Sequence, residues 1–441
     1  MASFLYKKYI KVEGDDPVSE TSKMHVNSML SIKQRLISNK EGIIVWAALV
    51  LNMILVFIQR LYIGVMPDYL MQKFAMDIGQ LSFLTSAAFY GYAFFQIPSG
   101  LLIDKVGVRT LNIWGGLLTL IGSILFSMTS NYNIAWLARF LIGAGTSVVI
   151  ISIMKVQALW FKPIYFSQLS ALMSFISNLG MFAGTLPLAV LIKFIGAQNT
   201  LYIISVFSLL GLILVLFFVR EKKISEEDLD VSNIHKARGF FAAIKEVMTT
   251  RGTYPSMFII FFFISTMTSI MGLWAVNYLT NVYDMTKIVA SGYVVFFTFG
   301  FIVGSPVMSI SDRILKGDYK KSLLFFTGVY FLLWFYFLVI KSGKPPVVQI
   351  PIIFFLMGIA IMVHILAFTA SKDANKIENA GVATSVVNTM EFIGSGLINF
   401  LIAFNLQRGV PAEKAFLIIL IFSAGAFIAS IFVRFDKQVH T

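Results

Sequence analysis

Three ionisable residues stand deep inside stretches that are otherwise apolar: Arg60, Arg139 and Glu391. A guanidinium presents a planar fork of N–H donors that grips a carboxylate at two points. A carboxyl group in apolar surroundings exchanges a proton, or receives an ammonium group. Asn388 precedes Glu391 by three residues, so a helix sets the two on one side. Tyr62 follows Arg60 closely, Trp274 and Asn277 sit together near the end of another apolar run, and His364 lies within a further one. Such groups bind solutes and move protons. Bond-making chemistry has little to stand on, because the chain has no cysteine, no HExxH, and four histidines (His25, His235, His364, His440) without ligand spacing. No enzymatic activity, metal or other cofactor is expected.

The elements that carry these residues follow from hydropathy. Of 441 residues 58% are hydrophobic and only 13% charged, against roughly 25% charged in an average soluble domain. No charge occurs from Thr110 to Ala138, from Thr200 to Val219 or from Tyr254 to Thr280. A helix needs about 20 apolar residues to cross roughly 30 Å of hydrocarbon. Twelve such spans are read near 43–66, 80–102, 111–128, 134–156, 165–189, 199–219, 255–279, 287–310, 322–340, 351–371, 382–403 and 414–433. The organisation expected is a tail (1–42), a six-helix bundle (43–219), a charged linker (220–254), a second six-helix bundle (255–433) and a short tail (434–441). The first 42 residues have no apolar core of a signal peptide, so the first span is expected to direct insertion.

An even number of spans puts both tails on one side. With that side cytoplasmic, inward segments hold 26 Lys and Arg and outward loops seven, and the net charge is +13. The positive-inside rule selects this orientation, with the linker cytoplasmic as well. It also accounts for the basic balance without a nucleic-acid partner. Within the linker, residues 239–250 read either as a short interfacial helix or as plain solvated chain.

The chain also repeats itself at an offset of 208–209 residues: Tyr69-Leu70 falls on Tyr278-Leu279, Gly91 on Gly300, and Asp104-Lys105 on Asp312-Arg313. A parallel repeat of this period means one half-protein used twice about an axis normal to the membrane.

Between the second and third spans stands Gly100-Leu-Leu-Ile-Asp104-Lys105-Val-Gly107-Val-Arg109, and in the fourth Arg139-Phe-Leu-Ile-Gly143-Ala-Gly145. These resemble the two signatures of the major facilitator superfamily. The resemblance implies an all-α membrane protein of twelve helices in two pseudo-symmetric bundles, carrying a solute by alternating access. It implies that the first loop latches the halves on the cytoplasmic side through Gly100, Asp104, Gly107 and Arg109. The second copy keeps Asp312 and Arg313 but has Met308 at the first glycine. The run on to Lys155 and Trp160-Phe161-Lys162-Pro163 is similar to the anion:cation symporter branch (sialin, hexuronate and phosphate carriers) and to the lysosomal dipeptide-transporter branch with its bacterial relatives. Gln59-Arg60 falls where the anion branch carries an acid-arginine pair. The fifth span reads Gly180-x-x-x-Gly184-x-x-Pro187, unlike drug:proton antiporters.

Each candidate also has a plainer reading. Arg60, about six residues from the outer end of its span, either snorkels outward or faces the cavity; its match to the substrate arginine of the anion branch favours the cavity. Arg139 serves the cavity or coupling, or pairs structurally. Lys155 reads as a positive-inside anchor. Glu391 is a proton or ammonium site, or a neutral core residue; His364 is a coupling group or a satisfied core histidine. Trp274, Asn277 and Tyr278 form a gate or belong to the aromatic belt. The expected solute is small and bears a carboxylate (an organic anion, amino acid or dipeptide), with protons as possible co-substrate. Facilitative uniport, drug or metabolite efflux, and a channel or receptor are the alternatives. A monomer in a bacterial inner membrane is expected, or in a lysosomal membrane if the source is eukaryotic.

Overall fold

The computed structural model describes residues 40–161, 166–221, 240–315, 318–376 and 379–434. The expected tails up to residue 39 and from residue 435, positions 222–239, and the side chains of Asp104, Asp312 and Arg313 lie outside that description. Every regular element among the described residues is helical. In hydrocarbon each backbone N–H and C=O has to be satisfied internally, which long helices do by themselves.

The spanning helices are α1 (Lys40–Val65), α2 and α3 (the two arms of Ile78–Met128), α4 (Tyr132–Trp160), α5 (Phe166–Ala183, resumed at Leu186–Ile195), α6 (Ala197–Phe218), α7 (Arg251–Tyr283), α8 (Lys287–Ile314), α9 (Tyr319–Ile340), α10 (Val347–Asp373), α11 (Ala380–Gln407) and α12 (Ala412–Ile431). Among the described residues eleven are long and apolar enough to cross a membrane. The twelfth, α2, is the most polar: Ser82, Thr85, Ser86, Gln96 and Ser99 are buried along it. Those residues face protein, not lipid, so the hydropathy dip marks an interior helix. Among the described residues twelve spanning helices form two bundles, α1–α6 and α7–α12.

Local chemistry sets the ends. Asp77 and Gln80 form a capping box at the start of α2, Asn131 accepts from two N–H groups at the start of α4, and Asp318 caps α9. Gly107 (φ 83°, ψ 170°) turns α2 into α3 without a loop, a backbone state that only glycine takes readily. The expected gap between the second and third spans is therefore a one-residue kink. Gly196 (φ 83°) does the same between α5 and α6. The linker carries a helix at Phe240–Thr249, tied to the α10–α11 turn by Glu246 and Lys376 at 2.7 Å. Helix α7 is not regular: π-helical turns at Ile260–Ile264 and Ile270–Trp274 flank Ser265–Ser269. Such insertions often mark functional positions.

Glycines set the tightest packing. A Cβ at Gly91 would collide with the Phe140 carbonyl, and one at Gly143 with the Ala88 carbonyl, locking α2 to α4. Gly145, two residues on, packs instead against Gly115 and Thr119 of α3. The R-x-x-x-G-x-G signature thus presents one glycine to each of two neighbours. The second half repeats the reciprocal pair, Gly300 against Phe355 and Gly358 against Phe297. The two halves meet firmly at the end bearing Asp68, Asp77 and Gln407. Lys287 pairs with Asp68 at 2.7 Å, Gln407 donates to Asp77 at 2.8 Å, and Gly64 of α1 lies against the backbone of Gly272 of α7.

Candidate functional site

Arg60 leaves α1 and turns back along the helix, the direction helical side chains take. Its guanidinium carbon lies 4.7 Å from the ring centre of Tyr92, 5.1 Å from Phe392 and 5.6 Å from Phe57. Tyr92 is midway along α2 and Phe392 midway along α11; their rings touch at 4.3 Å, with Phe89 behind at 6.0 Å. The charge therefore sits at mid-depth where the two halves meet, and the snorkelling reading of Arg60 is not adopted. Ring faces stabilise a cation by about 0.5–2 kcal/mol. Arg60 is half-buried, and among the described residues no carboxylate lies within ion-pair distance of it.

Glu391 adjoins Phe392 and is also half-buried. Its carboxylate accepts from the Thr268 hydroxyl at 2.6 Å, and Thr268 lies between the two π-turns of α7. Asn388 shares the helix but not the partner: it donates to Gln96 of α2 at 2.9 Å. One face of α11 thus reaches α7 through Glu391 and α2 through Asn388.

Trp274 is fully buried, donating to Asn399 of α11 at 2.9 Å. Asn399 in turn donates to Ser86 of α2 at 3.3 Å, so the Trp274–Asn399–Ser86 chain crosses between the halves. Asn277 is spent on the Leu273 carbonyl of its own helix. His364 stacks on Phe301 at 5.9 Å and meets the Phe368 ring edge-on, with Nδ1 2.9 Å from the Ile361 carbonyl. It stands among these rings, apart from the groups that touch Glu391.

Arg139 and Tyr62 are brought to each other rather than to Arg60. Arg139 is wholly buried and donates to the Gln59 carbonyl at 2.7 Å, its guanidinium 5.1 Å from the Tyr62 ring. Its Nε and second terminal nitrogen have no hydrogen-bond partner among the described residues. Gln59 and Arg60 are neighbours, yet one residue turns a helix by about 100°, enough to aim one inward and the other at the interface. Gln59 donates to Ser123 and Ser208 inside the bundle.

At the opposite end, the backbone N–H of Arg109 donates to Glu221 at 2.6 Å and its guanidinium to the Leu216 carbonyl at 3.1 Å. A Cβ at Gly107 would strike the same Glu221 carboxylate. Lys155 is more than an interfacial anchor: it donates to the Ile103 carbonyl at 2.7 Å, capping the end of α2. Gly100 has no atom of the described residues within 4 Å of where its side chain would begin.

Sequence reading missed Tyr92, Phe392, Gln96, Thr268 and Glu221. Gln96 carried a signal, an amide midway along an apolar span. The two rings carried none in a chain with 43 phenylalanines.

Two six-helix bundles with polar and charged groups at mid-depth between them are the architecture of a membrane transporter. The chain belongs to the Major Facilitator Superfamily, which residues 46–399 match. It is 26% identical over 200 residues to YybO, an uncharacterized transporter of Bacillus subtilis (strain 168). That match spans 42% of this chain and 43% of the relative's length. The crystal structure of a D-xylose-proton symporter superposes with a TM-score of 0.68 at 13% identity, covering 88% of this chain and 96% of that one. At that identity the likeness is one of fold.

Proposed function

We propose that this transporter carries a small carboxylate-bearing solute, held by Arg60 and coupled to a proton on Glu391. The observation that supports it most is a guanidinium at mid-depth packed among rings instead of a carboxylate. Aromatic rings lie beside the guanidinium while, among the described residues, its donor edge has no anion to hold, and a solute carboxylate supplies one by a two-point fork. An ammonium group on the same solute would meet Glu391, which favours amino acids and dipeptides among the candidates and fits the dipeptide branch as well as the anion branch. Glu391 gains or loses a proton as its surroundings alternate between wet and closed. Proton coupling is also what the name of the D-xylose-proton symporter states of that protein.

The firm contacts at the Asp68–Lys287 end and the open space at Gly100 fit an inward-facing state, with the Gly107 end, linker and both tails cytoplasmic. In the outward-facing state Gly100 would take up its close contact and Asp104, Arg109, Asp312 and Arg313 would latch the halves. The bacterial relative supports a bacterial cell membrane. A second reading is a neutral sugar, favoured by Gln96, Asn388 and Thr268 around the rings.

A thermal-shift panel of sugar acids, dicarboxylates, amino acids, dipeptides and neutral sugars separates the two, since a binder stabilises the folded state. Stabilisation by neutral sugars alone would sink the carboxylate reading. Glu391→Gln, which mimics the protonated acid, is expected to flatten uptake across about pH 5 to 8 while leaving exchange of preloaded solute active. An unchanged pH profile would move the proton elsewhere.

A further inference from the structure

A cavity of about 410 Å³ opens between α2 and α11 near the Asp77–Gln407 end, away from the Arg60 rings. Its volume falls within the roughly 300–1,000 Å³ of small-molecule sites. Phe83, Tyr90, Phe400 and Phe404 line it. Phe83 is 49% exposed and Phe400 57% exposed, so the walls run out onto the apolar surface that faces lipid. From Gln80 to Tyr90 the groove follows α2 for about 15 Å at the helical rise. Ser82 is 1% exposed, lines the cavity, and its hydroxyl has no hydrogen-bond partner among the described residues. At the mouth the exposed Arg408 guanidinium lies 4.1 Å from the Phe404 ring centre. The nearby acid, Asp77, is already engaged by the Gln407 amide and the Gln80 N–H.

We propose that this cleft binds one glycerophospholipid of the surrounding leaflet. An acyl chain lies on the rings, an ester carbonyl accepts from Ser82, and the phosphate meets Arg408 at the interface. Each wall feature then has its counterpart in one molecule: apolar length, a buried acceptor, and an anion at the level where the helices end. A water-soluble solute needs no walls continuous with lipid. Because α2 and α11 belong to opposite halves, a lipid seated here favours the conformation in which this cleft is formed.

The test uses the full-length protein in detergent, with phosphatidylglycerol, diacylglycerol and glycerol 3-phosphate as probes in thermal shift and native mass spectrometry. One phospholipid per chain is expected to survive delipidation, and phosphatidylglycerol to stabilise saturably. Arg408→Ala is expected to weaken phosphatidylglycerol about tenfold, as loss of a charge-assisted hydrogen bond does, and to leave diacylglycerol unchanged. Ala403→Phe, which fills the cleft, is expected to abolish the retained lipid. Should that variant misfold, Phe404→Ser at an exposed position replaces it, with weaker retention expected. Equal stabilisation by phosphatidylglycerol in wild type and Arg408→Ala overturns the proposal. So does protection by glycerol 3-phosphate alone, or a retained lipid indifferent to the cleft-filling variant. Displacement of the lipid by a transported solute would likewise reassign the cleft to transport.

Discussion

The two halves of the molecule solve the same packing problem in the same way and then diverge in chemistry. Gly91 and Gly143 let α2 and α4 touch backbone to backbone; Gly300 and Gly358 do so for α8 and α10. The offset that carries Gly143 onto Gly358 also carries Arg139 onto Phe354, a buried residue stacked on Phe337 at 6.5 Å. Likewise Tyr92, against the Arg60 charge, corresponds by the repeat to Phe301, against His364. The first half holds two guanidinium groups deep within its spans, Arg60 and Arg139, and the second answers with Glu391. Helix contact is therefore the constrained property of the repeat. The polar groups within it are free to differ, because each touches only a few neighbours.

The strongest test of the shared packing is Gly143→Val beside Gly358→Val. Both are expected to cost about 3 kcal/mol or more, since overpacking here meets a carbonyl that cannot move aside. Their unfolding transitions by size-exclusion thermostability would separate widely if only one half depended on the contact. Next comes the divergence at the matched pair. Phe354→Arg is expected to cost about 2.5–3.5 kcal/mol, the insertion cost of arginine at a helix centre. Arg139→Met is expected to leave thermal stability unchanged or raised, because a buried cation with one carbonyl partner costs more in desolvation than it returns. A large loss of stability in Arg139→Met would mean that the guanidinium is structural after all.

Arg60→Lys probes the other guanidinium of the first half. It keeps the charge but loses the fork, and is expected to weaken solute binding by about 1.5–3 kcal/mol, read by titration calorimetry, with little change in melting temperature. Binding as tight as wild type would remove Arg60 from the solute site. The smallest effect is expected at the closed end. Lys287→Ala removes the exposed Asp68 ion pair and should shift the balance between conformations by about 0.2–1 kcal/mol, diminishing in high salt. Distance measurements between labels on the two halves would register it, and a shift that grew with salt would contradict an ionic latch.

What the sequence by itself determined was everything that depends on local sums. Apolar runs placed the spans, the positive charges set an expected orientation, and the repeat with its glycines announced two like halves. The depth of Arg60, Arg139 and Glu391 was equally legible, because one charge in an apolar run is conspicuous. The tertiary structure alone decided which of them meet. Gln59 and Arg60 are adjacent in the chain, yet one is bonded into the first bundle and the other stands among rings contributed by both halves. Asn388 and Glu391 share a helix face but reach α2 and α7 respectively. Such pairings join residues up to 330 positions apart. They depend on how each helix is rotated about its own axis, and hydropathy, which sums along the chain, does not register that rotation.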